Sequence, residues 1–412
     1  MVAISRTTSP SRRSATAQSS SKNQPRARGL IRYAWALWNK LPESFRWFVI
    51  CLFVSRIVLT LAGYFLLHIV DLITINANTL YPAWQIFGPH KDILDVWFRW
   101  DSVNYVEIAK YWYAGGGFLQ FFPGYPVFIW LFHLVIPNWK LASLAAANTL
   151  LLIAGWYFCK LMSLWGVATE NQRRAIVFFF AMPTAFLLSS ALSESTLLAF
   201  ALAAIYYASA KRWWLAGLML LVAAATRSTG IFVGIPLLVI AWQQSPRRYP
   251  AIIKRALQLS PALLGFGAVM YISKVRSSHW LTFATIQRTA YGLHLVNPLT
   301  TFHLGFTLHQ PQYLFTVTLL TFLVGFVAFI GVYWLRNLSL WLFSLTQVGP
   351  PLLLGVNIFS SSLRYIIMTF PFLGLLLATI AKPKYDSLLV MCLMMIQVIA
   401  FVAWIANWGI II

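Results

Sequence analysis

Apolar runs long enough to cross a bilayer recur from about residue 47 to the C-terminus of this 412-residue chain. A hydrocarbon core of about 30 Å takes about 20 residues of apolar helix, and within it every backbone N–H and C=O must find a partner. Helices meet that demand segment by segment, so the pattern implies an all-α, multi-pass transmembrane helical bundle. The first run covers about 47–70. Others follow at about 121–137, 141–165, 175–192, 195–210, 213–226, 229–243, 256–274, 312–335, 338–358, 362–381 and 386–410. Counted together they give about 10–12 membrane segments. The run 121–137 is short and holds Pro123, Pro126 and Pro137, so it reads as a segment that re-enters rather than crosses. No internal repeat is visible.

Residues 1–40 read as a disordered, basic cytoplasmic tail, and 41–412 as a single transmembrane domain. The longest intervals between apolar runs are 71–120 and 276–311, expected as two extracytoplasmic loops. Neither is large enough for a nucleotide-binding α/β domain, and no Gly-rich phosphate loop is present, which argues against a nucleotide-driven pump. The net charge of +22 comes from 31 Lys and Arg. Many sit in short loops: Arg173-Arg174, Lys211-Arg212, Arg247-Arg248, Lys254-Arg255, Lys382 and Lys384. Such loops mark the cytoplasmic side and contact anionic lipid; they do not imply nucleic-acid binding. With these loops inside, Asp101, Glu194, Arg227, 276–311 and 359–364 all fall on the opposite face. Cys51, Cys159 and Cys392 lie in apolar runs and give no disulfide or metal spacing.

The chain has only nine acids, and a carboxylate in a lipid-embedded chain is costly unless exposed, paired or used. Asp101 is the best placed of them, in Arg99-Trp100-Asp101-Ser102-Val103-Asn104-Tyr105. Helical spacing from Trp100 to Tyr113 predicts a short interfacial helix with positions 101, 105, 108 and 112 on one face. The plain alternative is that Asp101 only caps that helix. Ser193 and Glu194 could likewise serve merely as cap and first-turn acid of a following helix. Arg227 breaks a long apolar stretch. Arg364-Tyr365 opens another helix, where a cation opposes the helix dipole unless an anion binds. Arg56, inside the first run, reads as a residue snorkelling to the interface. His279, His294, His303 and His309 do not form an i, i+4 metal pair; no cofactor is required, and a divalent metal is possible but unsupported.

Arg99-Trp100-Asp101-Ser102, Tyr105, Ile108-Ala109 and Phe121-Phe122-Pro123-x-Tyr125-Pro126 resemble the PIG-V-like mannosyltransferases of the GT-C superfamily. Pro183 with Ser193-Glu194-Ser195, Thr226-Arg227-Ser228-Thr229-Gly230, Gln287 before Tyr291-Gly292, and Arg364-Tyr365 before Pro371 extend the likeness over about 97–371. The chain departs from that pattern in having no Asp-x-Asp in the first loop, and in carrying Tyr291 where a Trp is common. The resemblance implies a GT-C-type bundle and a polyprenyl- or dolichyl-phosphate sugar donor, usually mannose. It also implies Asp101 as catalytic base on the non-cytoplasmic face, and transfer with inversion to a lipid or glycan hydroxyl. Trp100, Tyr105, Glu194, Arg227, Gln287, Tyr291, Arg364 and Tyr365 are then the expected substrate-binding residues. Expected partners are the lipid-linked donor, the glycolipid or glycan acceptor and membrane lipids. The expected location is a bacterial inner (plasma) membrane rather than the ER. A secondary transporter or lipid flippase is the rival reading; it calls for ionisable groups near mid-membrane and for an internal repeat.

Overall fold

The computed structural model describes residues 32–33, 35–69, 92–114, 117–245, 248–307, 338–355 and 359–406. Among these residues the regular structure is helical, with no strand. The expected run 312–335, residues 71–91 of the first loop, Gly115, Gly116, His309 and the tail up to residue 31 lie outside the described residues. Residues 35–40, expected to end the disordered tail, are helical.

In chain order the helices are α1 (Glu43–Ile69), α2 (Ser102–Tyr111), α3 (Gly124–His133), α4 (Trp139–Leu164), α5 (Thr169–Ala181), α6 (Glu194–Ser209), α7 (Trp213–Thr226) and α8 (Gly234–Gln244). Next come α9 (Tyr249–Gln258), α10 (Pro261–Ser277), α11 (Thr282–Tyr291), α12 (Pro298–Thr307), α13 (Leu338–Leu353), α14 (Phe359–Ile366), α15 (Phe370–Ile380) and α16 (Asp386–Ile405). Five described stretches are long and apolar enough to cross a membrane: Glu43–Ile69, Trp139–Leu164, Tyr249–Ser277, Leu363–Ile380 and Pro383–Ile405. Four apolar helices, Glu194–Ser209, Trp213–Thr226, Ser228–Gln244 and Leu338–Gly349, are shorter. The 10–12 membrane segments expected from hydropathy are, among the described residues, a mixture of long and short helices.

The run 175–192 shows why hydropathy overcounts. Pro183 has no N–H to continue α5 and forces Met182 into an extended conformation (φ −56°, ψ 146°), so the helix stops at Ala181. The next stretch, a 3₁₀ turn at Ala185–Ser189 and a bend to Ser193, is buried throughout 185–193. Irregular backbone at such depth survives only when enclosed by protein.

Helix pairing defines two ends of the bundle. Arg174 near the start of α5 donates to the Ala378 and Ala381 carbonyls at the end of α15, so the two helices run antiparallel. Arg173 pairs with Glu43 at the start of α1, and Asp386 at the start of α16 joins Arg174. Gln244 at the end of α8 reaches the Ala208 carbonyl at the end of α6. Lys211, Arg212, Arg248, Lys254, Arg255, Lys382 and Lys384 thus share one end, the basic end. The start of α6, the end of α7, the start of α15 and α2 share the other. The segments at Glu194, Arg227, 276–307 and 359–364 gather with Asp101 there, as the charge pattern implies.

α3 does not cross the bundle. Gly124 at its start abuts Thr226 at the end of α7, where an added Cβ would sit 2.8 Å from the Thr226 Cα. His133 at its end stacks on Trp139, one residue before Lys140, whose ammonium pairs with Asp92 and Asp95. Both flanks therefore lie at the non-basic end. Tight approach also joins α7 to α9 and α10: a Cβ at Gly217 would meet the Gln258 carbonyl, and one at Gly265 the Leu221 carbonyl. Small residues allow such close packing, which matters in lipid, where apolar burial alone gives helices little reason to associate.

Candidate active site

The site is built on four chain segments that meet at the non-basic end. The first is the loop before α2. Lys140 bridges Asp92 and Asp95, and those two acids cap the turn Ile93–Val96 reciprocally. Burial alone would raise the Asp92 carboxyl, but the bonds from Lys140 and the Leu94 N–H outweigh it and lower it. Arg99 is fully buried and donates from Nε to the Asp95 carbonyl, 3.1 Å away. Trp100 then takes a left-handed backbone conformation (φ 53°), one that costs a bulky residue on the order of 1–3 kcal/mol. This strained turn points the chain into α2 with Asp101 at its mouth.

Asp101 occupies the N-cap position of α2 but makes no capping hydrogen bond. Its Oδ2 accepts instead from Arg364 Nη1 at 2.5 Å, and its Oδ1 lies 3.4 Å from Asn104 Nδ2. Capping therefore does not explain this residue. The same holds at α6. Ser193 makes no capping bond there; its Oγ accepts from Tyr105 Oη at 2.9 Å and lies 3.4 Å from Arg227 Nη1. Glu194, fully buried, receives Arg364 Nε and Arg227 Nη1 on the same oxygen, Oε1, each at 2.5 Å. The guanidinium of Arg227 lies 4.9 Å from the centroid of the Tyr365 ring. Burial pushes the Tyr105 hydroxyl up to about 12, the two arginines opposing that shift, so it keeps its proton and donates.

Asp101, Arg364, Glu194, Arg227, Tyr365 and Tyr105 thus form one cluster, from segments as far as 263 residues apart in sequence. Two guanidiniums face two carboxylates, and the cluster is neutral. It is also unfinished. Glu194 Oε2 and Trp100 Nε1 are buried and have no hydrogen-bond partner among the described residues. Arg364 and Arg227 make no further hydrogen bond among them through their remaining N–H groups.

Gln287 and Tyr291 do not join the cluster. Both lie on α11, and the Tyr291 hydroxyl lies 3.4 Å from Gln120 Nε2 in the connection between α2 and α3. α11 is fastened there by Ile286 against the small cluster of Ile108, Tyr113 and Leu119, and by Phe283 against Phe122 and Phe266. The expected shared face of α2 is also cut short: Trp112 turns left-handed and leaves the helix, so only Tyr105 and Ile108 continue the face of Asp101. Glu107 pairs with Lys110 on another side of α2.

Arg56 does not snorkel. It lies on the buried side of α1 with Phe48, Leu52, Leu59, Gly63 and Leu67, whereas Phe53, Ile57, Leu61 and Phe65 face outward. Its Nε donates to Ser189 Oγ at 2.6 Å and its Nη2 to the Ala185 carbonyl at 2.8 Å. Its guanidinium also lies 5.6 Å from the Trp97 and Phe180 ring centroids. Arg56 therefore grips the two limbs that lead to the site, four residues before Asp101 and five before Glu194. The Ala191 N–H to Trp97 carbonyl bond, 3.2 Å, ties those limbs to each other.

Among the described residues no group of three or more His, Cys, Asp or Glu is spaced to hold a metal ion. Comparisons with protein-family models, with curated proteins and with solved structures give no match for this chain.

Proposed function

We propose that this chain is a membrane glycosyltransferase. It moves a sugar, mannose by the resemblance, from a polyprenyl- or dolichyl-phosphate donor to a hydroxyl of a lipid or glycan on the non-cytoplasmic side. The observation that carries this reading is the neutral, unfinished cluster of Asp101, Glu194, Arg227 and Arg364 at the end of the bundle away from the basic loops.

A lipid-phosphate sugar is a phosphodiester with one negative charge. The spare N–H groups of Arg364 and Arg227 suit that charge, since a guanidinium offers several donors in a fixed fork. A phosphodiester on Arg364 takes the place of Asp101 there, which frees the carboxylate. Asp101 then takes the proton of the acceptor hydroxyl as that oxygen attacks the anomeric carbon. The bond from the anomeric carbon to the phosphate oxygen breaks, and the leaving phosphate carries off the electron pair. Its added charge falls on the two guanidiniums, already oriented by Glu194. Glu194 Oε2 offers an acceptor to a sugar hydroxyl. A doubly charged nucleotide-diphosphate donor fits a neutral cluster less well.

The test is incubation of the full-length protein in nanodiscs with labelled polyprenyl-phosphate mannose and a crude lipid extract, followed by product identification. Label transferred to an acceptor by the wild type but not by Asp101→Asn supports the proposal. No transfer from any polyprenyl-phosphate hexose, with donor binding also absent, sinks it.

A further inference from the structure

We propose that the groove between the start of α7 and α9, at the basic end, binds an anionic phospholipid. The groove has a volume of about 510 Å³ and is lined by Trp214, Pro250, Ile253, Lys254, Leu257 and Gln258. No residue of α9 is buried. Tyr249, Ile253 and Leu257, at four-residue spacing, leave 71%, 58% and 64% of their surface exposed, and Trp214 61%. A stripe this apolar on a surface helix calls for an apolar partner.

The position of α9 says which partner. α9 and α10, with the two-residue turn between them, run from Tyr249 to Ser277, 29 residues, a reach of at most about 43 Å at about 1.5 Å per residue. That exceeds a hydrocarbon core of about 30 Å, so the outer turns of α9 reach the headgroup layer. The groove then opens at the boundary between acyl chains and headgroups, where Trp and Tyr rings favour the interface.

Charge says which lipid. Between Ser195 and Tyr385 the sequence holds no Asp or Glu. Lys211 and Arg212 directly precede the Trp pair, Arg248 precedes Tyr249, and all three are exposed. Arg255 is spent within the wall: Nη1 donates to the Ala241 carbonyl at 2.8 Å, and the guanidinium lies 5.3 Å from the Trp213 ring. Lys254 is exposed at the rim and has no ion pair among the described residues. With no ion pair among the described residues, the Lys254 ammonium is available to an anion from outside the protein. An apolar trough with an ammonium at its lip matches an acyl chain joined to a phosphate headgroup.

Native mass spectrometry of the full-length protein tests this, with dioleoylphosphatidylglycerol, dioleoylphosphatidylcholine and soluble glycerol phosphate as separate probes. We expect phosphatidylglycerol to be retained over phosphatidylcholine, and glycerol phosphate not to be retained. Lys254→Gln should weaken phosphatidylglycerol retention about fivefold, the effect of one basic residue at a lipid surface. Trp214→Ala should weaken it through the apolar wall, while Lys384→Gln, outside the groove, should not. Equal retention of both lipids, binding of glycerol phosphate alone, or equal losses from Lys254→Gln and Lys384→Gln would each overturn the proposal. So would a second copy of the chain seated on the groove, seen as a dimer lost in Ile253→Ser. None of these readouts depends on sugar transfer.

Discussion

Two arginine clusters stand at opposite ends of the antiparallel pair α5 and α15, and they are finished to different degrees. At the basic end Arg174 uses all five of its N–H groups. Nε and Nη2 grip Asp386 at 2.6 and 2.8 Å, Nη1 reaches Asn171 at 3.1 Å, and Nη1 and Nη2 take the Ala378 and Ala381 carbonyls at 2.5 and 2.6 Å. Those carbonyls lie in the last turn of α15 and at the residue just past it, where the helix has no donors left for them. This is a staple with no capacity to spare. At the other end, some 17 residues and about 25 Å of helix away, Arg364 and Arg227 crowd onto one oxygen of Glu194 and leave its other oxygen without a partner among the described residues. An unmet buried acceptor costs about 1–3 kcal/mol. Among the described residues the fold saturates one arginine and leaves N–H groups of two others unused, which is the capacity the proposed donor requires.

The strongest way to break this comparison is Asp101→Asn. The amide keeps the shape of the side chain but can take no proton from an acceptor. Labelled-sugar transfer should fall by about 10²- to 10⁴-fold, the range for loss of a general base, with unchanged detergent-extracted yield. Transfer at the wild-type rate would remove Asp101 from the reaction.

Arg364→Ala comes next. It leaves Glu194 buried with one cation and takes away the expected phosphate contact, so both stability and donor use should suffer; removing one partner of a buried pair costs about 3–5 kcal/mol. Arg364→Lys restores a charge but cannot bridge Glu194 and Asp101 through two separate nitrogens. The order of the donor KM should therefore be Ala above Lys above wild type. Equal values for Ala and Lys would mean that charge alone, and not the fork, matters at this end.

Arg174→Ala sharpens the contrast from the other side. It should lower the thermal midpoint in detergent by the equivalent of about 2–3 kcal/mol, since two part-buried carbonyls and the Asp386 carboxylate lose their donor. Transfer per folded molecule should stay at the wild-type value. A drop in turnover without a drop in stability would show that the two ends are coupled.

The charged half of the site is legible in the sequence because charge is rare here. Asp101, Glu194, Arg227 and Arg364 announce themselves inside apolar surroundings, where an unused ion would be expensive, and the structure joins all four. Gln287 and Tyr291 carry no such signal. A polar side chain on an exposed amphipathic helix costs little wherever it points, and α11 brings the Tyr291 hydroxyl to Gln120 rather than to the cluster. Hydropathy misplaces Arg56 because it does not say which side of a helix faces lipid. A clue lies in Gly63, seven residues on and on the same face: a Cβ there would strike Val96 and Phe401, so that face is packed against protein. The staple is beyond sequence reasoning. Arg174 and Asp386 are 212 residues apart, and nothing local marks them as partners.

The mildest expected effect is Tyr105→Phe, and it bears on how the unfinished cluster is braced. The phenol donates to Ser193 Oγ, whose other contact among the described residues is Arg227 at 3.4 Å. Losing that bond should cost about 1 kcal/mol, read as a fall of about fivefold in kcat/KM for transfer, with little change in thermal midpoint. The pH profile gives an independent check. With the hydroxyl pushed up to about 12, the phenol stays protonated from pH 6 to 9, and wild type and Tyr105→Phe should show parallel profiles there. A basic limb below pH 10 in the wild type that vanishes in Tyr105→Phe would mean that the ring meets water and that Ser193 is held by something else. Parallel profiles with a lowered plateau would identify Tyr105 as a brace that never changes charge while Asp101 and the two arginines exchange partners beside it.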